Sequence, residues 1–477
     1  MKRNIAILLL IMMLICAGAR AAEASAAFDK AFEADSLTLV KAPLPEVSAG
    51  ALDLSDEIWA AMEITEPADP NEWLADALQS AQLTWVSLSP DGSGGLLRDR
   101  SVGFACRDGL IRPILPSSSR GVGDEYGDLA KYAARFTRLL GDESTVYSPD
   151  GRYAAVFNIQ YTLIMGNYYL DPIVIDLSTG EMILTATYGS SYMDNKMGVA
   201  TAAAFSADSR YLYYMLYGNV LIDDDGSGYR TGLYRYDLET QETELCHSWS
   251  DLTYYPGLSE TAEGALIVLH DQMHLKEQTG ISRVTRKDGV WTNTERMFDL
   301  PMSYWGVRYM LYSAASGYAV IPGVNTLLTG HYAFQCVRPD DGFAGMGRYL
   351  TVARGDGRIE ARTAYDIWNM FAKAEESGVS LYEAYPIQAM LTVRLSPDGR
   401  YLLAHTLEKG EEQQKTFHLY LIRLDDLAVR EAGGIDPGDI LYGDPAQGRG
   451  FRQSIEWNCD TLLICTSEGI RAYRFAD

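Results

Sequence analysis

Cysteine and histidine are scarce in this chain, with six of each among 477 residues. No C-x-x-C occurs, so a zinc knuckle and a thioredoxin-type site have nothing to be built from. Past residue 21 the cysteines are Cys106, Cys246, Cys336, Cys459 and Cys465. That number is odd, so they cannot all pair within the chain. Most stand far apart in apolar strand contexts, where a buried free thiol is the expected state. Cys459 and Cys465 flank one hairpin and are the single sequence-near pair compatible with a disulfide. Among the histidines, His270 and His274 read H-x-x-x-H. The metalloprotease pattern needs Glu after the first His, but Asp271 stands there, and no third ligand is evident. They are expected as histidines between strands.

Positive charge is also short. Forty Lys and Arg face 64 Asp and Glu, a net charge of −24. This argues against nucleic acid and anionic membrane as partners. Long hydrophobic runs are missing except at the start. There Lys2 and Arg3 precede an apolar stretch from Ile5 to Ala19, followed by Ala17-Gly18-Ala19 and Ala19-Arg20-Ala21. These are the charged region, apolar region and small-residue cleavage sites of a secretory signal, residues 1–21. The stretch is too short for a comfortable membrane span. Its removal takes three cations and no acid, leaving −27. Cys16 raises a lipid-anchored alternative, against which Ile15 stands where that processing prefers a small residue. The expected location is secreted, periplasmic or cell-surface.

What is present in abundance is a repeated phrase. It reads Ser89-Pro90-Asp91-Gly92, Ser148-Pro149-Asp150-Gly151-Arg152-Tyr153, Ser206-Ala207-Asp208-Ser209-Arg210-Tyr211 and Ser396-Pro397-Asp398-Gly399-Arg400-Tyr401, each between apolar stretches. Pro presets φ, Asp bonds back to nearby backbone and Gly accepts positive φ, so each copy predicts strand, tight turn, strand. Weaker copies lie at 258–268, 312–320 and 455–464. A second phrase follows the good copies: an apolar strand, then Asp176-Leu177-Ser178-Thr179-Gly180, Asp237-Leu238-Glu239-Thr240, or Leu424-Asp425-Asp426-Leu427. Four strands per unit at a steady interval predict an all-β chain, a β-propeller of seven four-stranded blades with a few inserted helices.

Ser-Pro-Asp-Gly-Arg-Tyr followed by the second phrase resembles the TolB-type, WD-like propeller repeat of exported bacterial proteins, over about residues 83–477. The same repeat resembles the propeller of prolyl-oligopeptidase-type peptidases. The resemblance implies a fold and a role in binding protein or other ligands on the propeller faces. The peptidases carry a hydrolase domain with a G-x-S-x-G elbow, which has no match here.

Residues 22–82 are expected to hold a mobile leader (22–36), a strand near Leu37–Val40, and helices over 55–62, capped by Ser55, and about 71–82. Further helices are expected at 126–140 and at Ala361–Ser377, the latter within an insertion near 340–390. The final unit lacks one strand, and the strand near Leu37–Val40 is expected to supply it, since an open ring would leave an unpaired edge.

Chemistry is less legible. Asp223, Asp225 and Ser227 lie in an acidic Gly-bent loop and are the candidate metal ligands, for calcium, although the EF-hand spacing is absent. The alternative is a plain acidic hairpin tip. Asp91, Asp150, Asp208 and Asp398 are explained by their turns rather than as catalytic acids. Tyr211 to Tyr214 and Tyr254-Tyr255 read as strand residues half in the core. No catalytic or cofactor-binding residue is assigned. The function these features favour is non-catalytic binding of a protein or cell-envelope ligand. The runner-up is a carbohydrate-active hydrolase or lyase with its site in the channel.

Overall fold

The computed structural model describes residues 26–43, 56–62, 65, 67–79, 83–89, 93–98, 102–116, 144–157, 172–184, 198–218, 231–249, 253–272, 279–297, 310–313, 316–325, 331–338, 344–352, 359–363, 376–378, 390–396, 398–409, 415–434, 455–458, 461–466 and 469–476. The signal segment, the acidic loop carrying Asp223, Asp225 and Ser227, the helix expected at 126–140, Ser55 and Cys459 lie outside these residues.

The chain folds as a β-propeller. Helix α1 spans 26–33 and is followed by β1 (Leu39–Lys41), α2 (Asp56–Ala61) and α3 (Pro70–Gln79). Seven sheets follow among the described residues. The first holds β2 (Thr84–Leu88), β3 (Gly94–Arg98), β4 (Gly103–Arg107) and β5 (Leu110–Pro113). The second adds β6 (Leu115–Pro116) in parallel on the outside of β7 (Ser144–Tyr147), β8 (Tyr153–Phe157), β9 (Ile173–Asp176) and β10 (Glu181–Leu184). The third is β11 (Gly198–Phe205), β12 (Tyr211–Gly218), β13 (Thr231–Asp237) and β14 (Thr243–Trp249). The fourth is β15 (Thr253–Glu260), β16 (Leu266–Gln272), β17 (Thr279–Lys287) and β18 (Val290–Met297). The fifth has five strands: β19 (Leu311–Tyr312), β20 (Ala319–Asn325), β21 (His331–Arg338), β22 (Ala344–Val352) and β23 (Ile359–Thr363). The sixth is β24 (Met390–Leu395), β25 (Tyr401–Lys409), β26 (Lys415–Arg423) and β27 (Ala428–Ala432). The seventh combines β28 (Ile455–Asn458), β29 (Thr461–Thr466) and β30 (Gly469–Phe475) with β1 from the start of the chain.

Successive side chains in a strand point to opposite faces, and here both faces are covered. Leu212, Tyr214 and Leu216 pack with Phe205, Tyr153 and Val174 toward the second sheet. Their neighbours Tyr213 and Met215 pack with Leu266 and Val268 of the fourth. Likewise Leu402 and Ala404 face Val320 of the fifth sheet, while Tyr401 and Leu403 face Leu462 and Ile464 of the seventh. Burial on both faces is why these strands read as unbroken apolar runs rather than alternating ones. The first sheet packs on the second through Leu96, Ala105, Val156 and Ile175. The seventh packs back on the first through Leu463, Ala472 and Leu88.

β1 runs antiparallel to β30, with Leu39 opposite Phe475 and Lys41 opposite Tyr473. The strand expected to complete the last sheet therefore does so. Leu39 N–H also donates to Gly433 O at 2.8 Å, and Gly433 N–H to Leu37 O at 2.9 Å. The segment thus stitches the sixth sheet to the seventh.

Three expectations are corrected. The supposed mobile leader contains α1, with Phe28, Ala31 and Phe32 buried. Phe28 and Phe32 are one helical turn apart and so share a face, which a reading of the segment as Ala-rich and polar overlooked. The helix expected from Ala361 begins instead as strand: Ala361 to Thr363 close β23, and β22 and β23 place sheet in the first half of the stretch expected as an insertion. Residues 376 and 377 are helical, and 364–375 lie outside the described residues. His270 sits inside β16 rather than in a loop, so the helical placing of two imidazoles does not apply to it.

The short helices follow local rules. Asp69 caps α3, accepting from Asn71 N–H at 2.9 Å, and Pro70 opens it where its missing N–H costs nothing. Trp59 and Met62 pack with Leu74 and Ala77 against Leu97 and Phe104 of the first sheet.

Candidate functional site

Each described turn phrase joins the first two strands of its sheet, and there the hydroxyl of serine is the hub. Ser148 Oγ accepts Tyr153 N–H at 2.8 Å and donates to Asp150 Oδ1 at 2.6 Å. Asp150 Oδ1 also accepts Arg152 N–H at 3.0 Å. Ser206, Asp208 and Arg210 repeat this at 2.9, 2.6 and 3.1 Å. Ser396 accepts Tyr401 N–H and donates to Asp398, whose carboxylate accepts Arg400 N–H. These serines are buried, as is Ser89, whose Oγ accepts Gly94 N–H at 3.0 Å. Asp150, Asp208 and Asp398 are therefore occupied as turn formers. The role of Asp is legible from the turn phrase alone, whereas that of Ser emerges with the structure. The signal was there: Ser or Thr opens nearly every copy.

The turns also hold one another. Asp150 N–H donates to Ser209 Oγ at 3.1 Å, linking the second sheet to the third. Ala207 replaces the proline of the phrase and so has an N–H. Glu260 of the fourth sheet accepts it at 2.6 Å. Burial raises the Glu260 carboxyl above its ordinary range and the Asp208 charge adds to this, while the bonds from Ala207 and Tyr213 pull the other way. Gly399 has φ of 66°, and a Cβ there would collide with the side chain of Ser313 in the fifth sheet.

Nearer the axis, the first strands of neighbouring sheets carry polar pairs. Ser87 Oγ and Tyr147 Oη are 2.5 Å apart. Arg394 Nε lies 3.5 Å from Glu456 Oε1, and burial holds the Glu456 carboxyl above its usual range against the pull of Arg394. Among the described residues no group of three or more His, Cys, Asp or Glu is placed to hold a metal ion. No described helix is long and apolar enough to cross a membrane. Cys106 and Cys246 are free and buried, and burial pushes both thiols up to about 12.

The sixth sheet departs from the pattern. Opposite Tyr153 and Tyr211 stand Asp176 and Asp237, and opposite Tyr401 stands Arg423. Arg152 and Arg210 donate Nε and Nη2 to those aspartates at 3.1 and 2.8 Å in each case. Arg400 has no such aspartate across its strand pair. Its Nη1 reaches Asp29 of α1 at 2.9 Å, and Tyr401 Oη donates to the same carboxylate. Arg423 pairs with Glu33 at 2.8 Å and with Asp426, and its guanidinium lies over the Phe32 ring. Arg430 donates to the carbonyls of Phe32, Ala34 and Asp35, ending the helix. Phe28 meets Tyr401, Trp457 and Phe475 with ring centroids 5.0–5.4 Å apart. Helix α1 therefore wedges between the sixth and seventh sheets.

No known protein-family model matches the sequence, and no curated protein does. Among solved structures, an oligogalacturonate lyase from Vibrio parahaemolyticus is similar over 83% of this chain and 92% of its own, at 11% identity and a TM-score of 0.42. A putative TolB from Agrobacterium tumefaciens is similar over 58% of this chain and 79% of its own, at 14% identity and 0.32. For dipeptidyl peptidase 4 of Porphyromonas gingivalis the figures are 81%, 56%, 12% and 0.38. Likeness this distant carries no chemistry. The propeller rests on the strand order and on sheets that pack in sequence until the last meets the first.

Proposed function

We propose that this chain is an exported, seven-bladed β-propeller that binds a protein or cell-envelope ligand without transforming it. The observation that carries this reading is the use of the repeated carboxylates. Each described copy is consumed by its own turn, and adjacent turns are bonded across sheets. What results is a rigid end surface, and loops held on a rigid scaffold are where binding residues concentrate. The apolar start of the chain and its small-residue cleavage sites support export. The charge of −24 favours a partner that is neutral or cationic.

The test is affinity capture with the full-length mature protein from native envelope and supernatant fractions. A specific protein or envelope polymer should be retained in stoichiometric amount and released unchanged. Cleavage of envelope or plant polysaccharides, seen as new reducing ends or unsaturated products, would overturn the reading in favour of a hydrolase or lyase. The proposal of calcium at Asp223, Asp225 and Ser227 has its own test. Calorimetric titration should give heat that Asp225→Ala abolishes, and no heat removes it.

A further inference from the structure

The N-terminal arm, residues 26–41, is fastened to the far end of its own chain. Its buried face joins Tyr401, Leu421, Trp457 and Tyr473, all in the sixth and seventh sheets. The next helices, α2 and α3, pack on the first sheet instead. Residues 42–55 join the two and extend to about 50 Å at most. An arm whose seat is built by the opposite terminus can equally reach the seat of another copy, the arrangement behind exchanged dimers.

The seat selects for this arm by chemistry. It offers an aromatic slot between two sheets, three guanidinium groups (Arg400, Arg423 and Arg430) and an open strand edge at β30. The charges stand out in a chain with a net charge of −24. A ligand must bring a helix with aromatic residues four apart, a carboxylate after each, and then an extended segment. Phe28-Asp29 and Phe32-Glu33 followed by Leu39–Lys41 meet all three conditions. Arg400 is the strictest element, because its counterparts Arg152 and Arg210 find their aspartates within their own sheets.

We propose that the wedge between the sixth and seventh sheets is a peptide-binding site that accepts the arm of a second copy of this chain, giving an arm-exchanged dimer. The chain's own arm competes from an effective concentration on the order of millimolar. Exchange therefore shows when the internal arm is disabled or the protein is concentrated.

Two full-length variants test this. One has a reversed arm (Asp29→Arg with Glu33→Arg) and the other a reversed seat (Arg400→Glu with Arg423→Glu). Each alone should run as a monomer in light scattering coupled to size exclusion. Mixed, they should form a one-to-one dimer, the intact arm of one entering the intact seat of the other. A mixture that stays monomeric at a hundred micromolar overturns the proposal. Should either variant fail to fold, a full-length chain carrying the milder Asp29→Asn and Glu33→Gln, whose own arm competes less, is titrated with a fluorescent peptide of residues 26–42. Saturable binding, at least tenfold weaker for the peptide carrying both reversals, supports the site. Absent or equal binding of the two peptides rejects it.

Discussion

Ala207 shows how one residue's backbone sets a demand that another sheet meets. Proline at this position in other copies has no N–H, but alanine does, and Glu260 accepts it from 53 positions away. Glu260→Ala should cost about 1 kcal/mol in urea denaturation. On an Ala207→Pro background most of that cost should vanish, so the double-mutant cycle should show coupling of similar size. Equal costs on both backgrounds would refute the pairing. At Gly399 the left-handed backbone alone disfavours a side chain by about 1–2 kcal/mol, and the Ser313 side chain adds a collision. Gly399→Ala should lower the melting midpoint by several degrees. Cys106 and Cys246, with thiols pushed up to about 12, should resist iodoacetamide at pH 8 in the native protein and react once it is unfolded in urea. The turn aspartates were legible in sequence because their partners are two residues away. Glu260 was not, because a contact between neighbouring sheets leaves no local spacing to read.

At the scale of elements, α1 is the main surprise. Its apolar face is short, and a segment of alanine and charge reads as solvated until its partners are known. Two clues were nonetheless in the sequence: Phe28 and Phe32 one turn apart, and Arg423 in the register position held by aspartate elsewhere. Burial works against ionising Asp29, but the hydrogen bonds from Arg400 and Tyr401, with the charges of Arg400 and Arg423, outweigh it and hold the carboxyl below its ordinary range. A group shifted in that direction adds stability that is complete above its unfolded value, near 4, and disappears as pH falls through its folded value. Asp237 and Asp426 are shifted the same way. Glu260 and Glu456 are shifted the other way and add stability as pH falls toward about 4.5, so the fall in melting midpoint from the aspartates should show below about pH 4. Asp29→Asn should melt lower than the native chain at pH 7 and converge with it in acid. Parallel melting curves across that range would show that Asp29 carries no linkage.

For the whole molecule, the hairpins and the joining of first and last strands could be read from the repeated phrase, because each hairpin is local and a ring needs an even supply of strands. The sheet content of residues 344–363 could not, since its alternation lies next to a helix-like stretch of Trp368, Met370 and Phe371. Removing residues 36–45 should lower the melting midpoint of the entire propeller rather than of one sheet, because the edge of β30 and the link to Gly433 are lost together. An unchanged melt would show that the first strand is dispensable. The pairing of Leu39 with Phe475 also orders events in time. The amino end emerges first in synthesis, so Phe28, Phe32, Leu37 and Leu39 wait for the sixth sheet, and their seat is complete only once β29 and β30 follow. Contacts between such distant positions are slow to form. A chain cut short before β30 would leave β1 with no strand to pair with, and the apolar face of the arm only half covered.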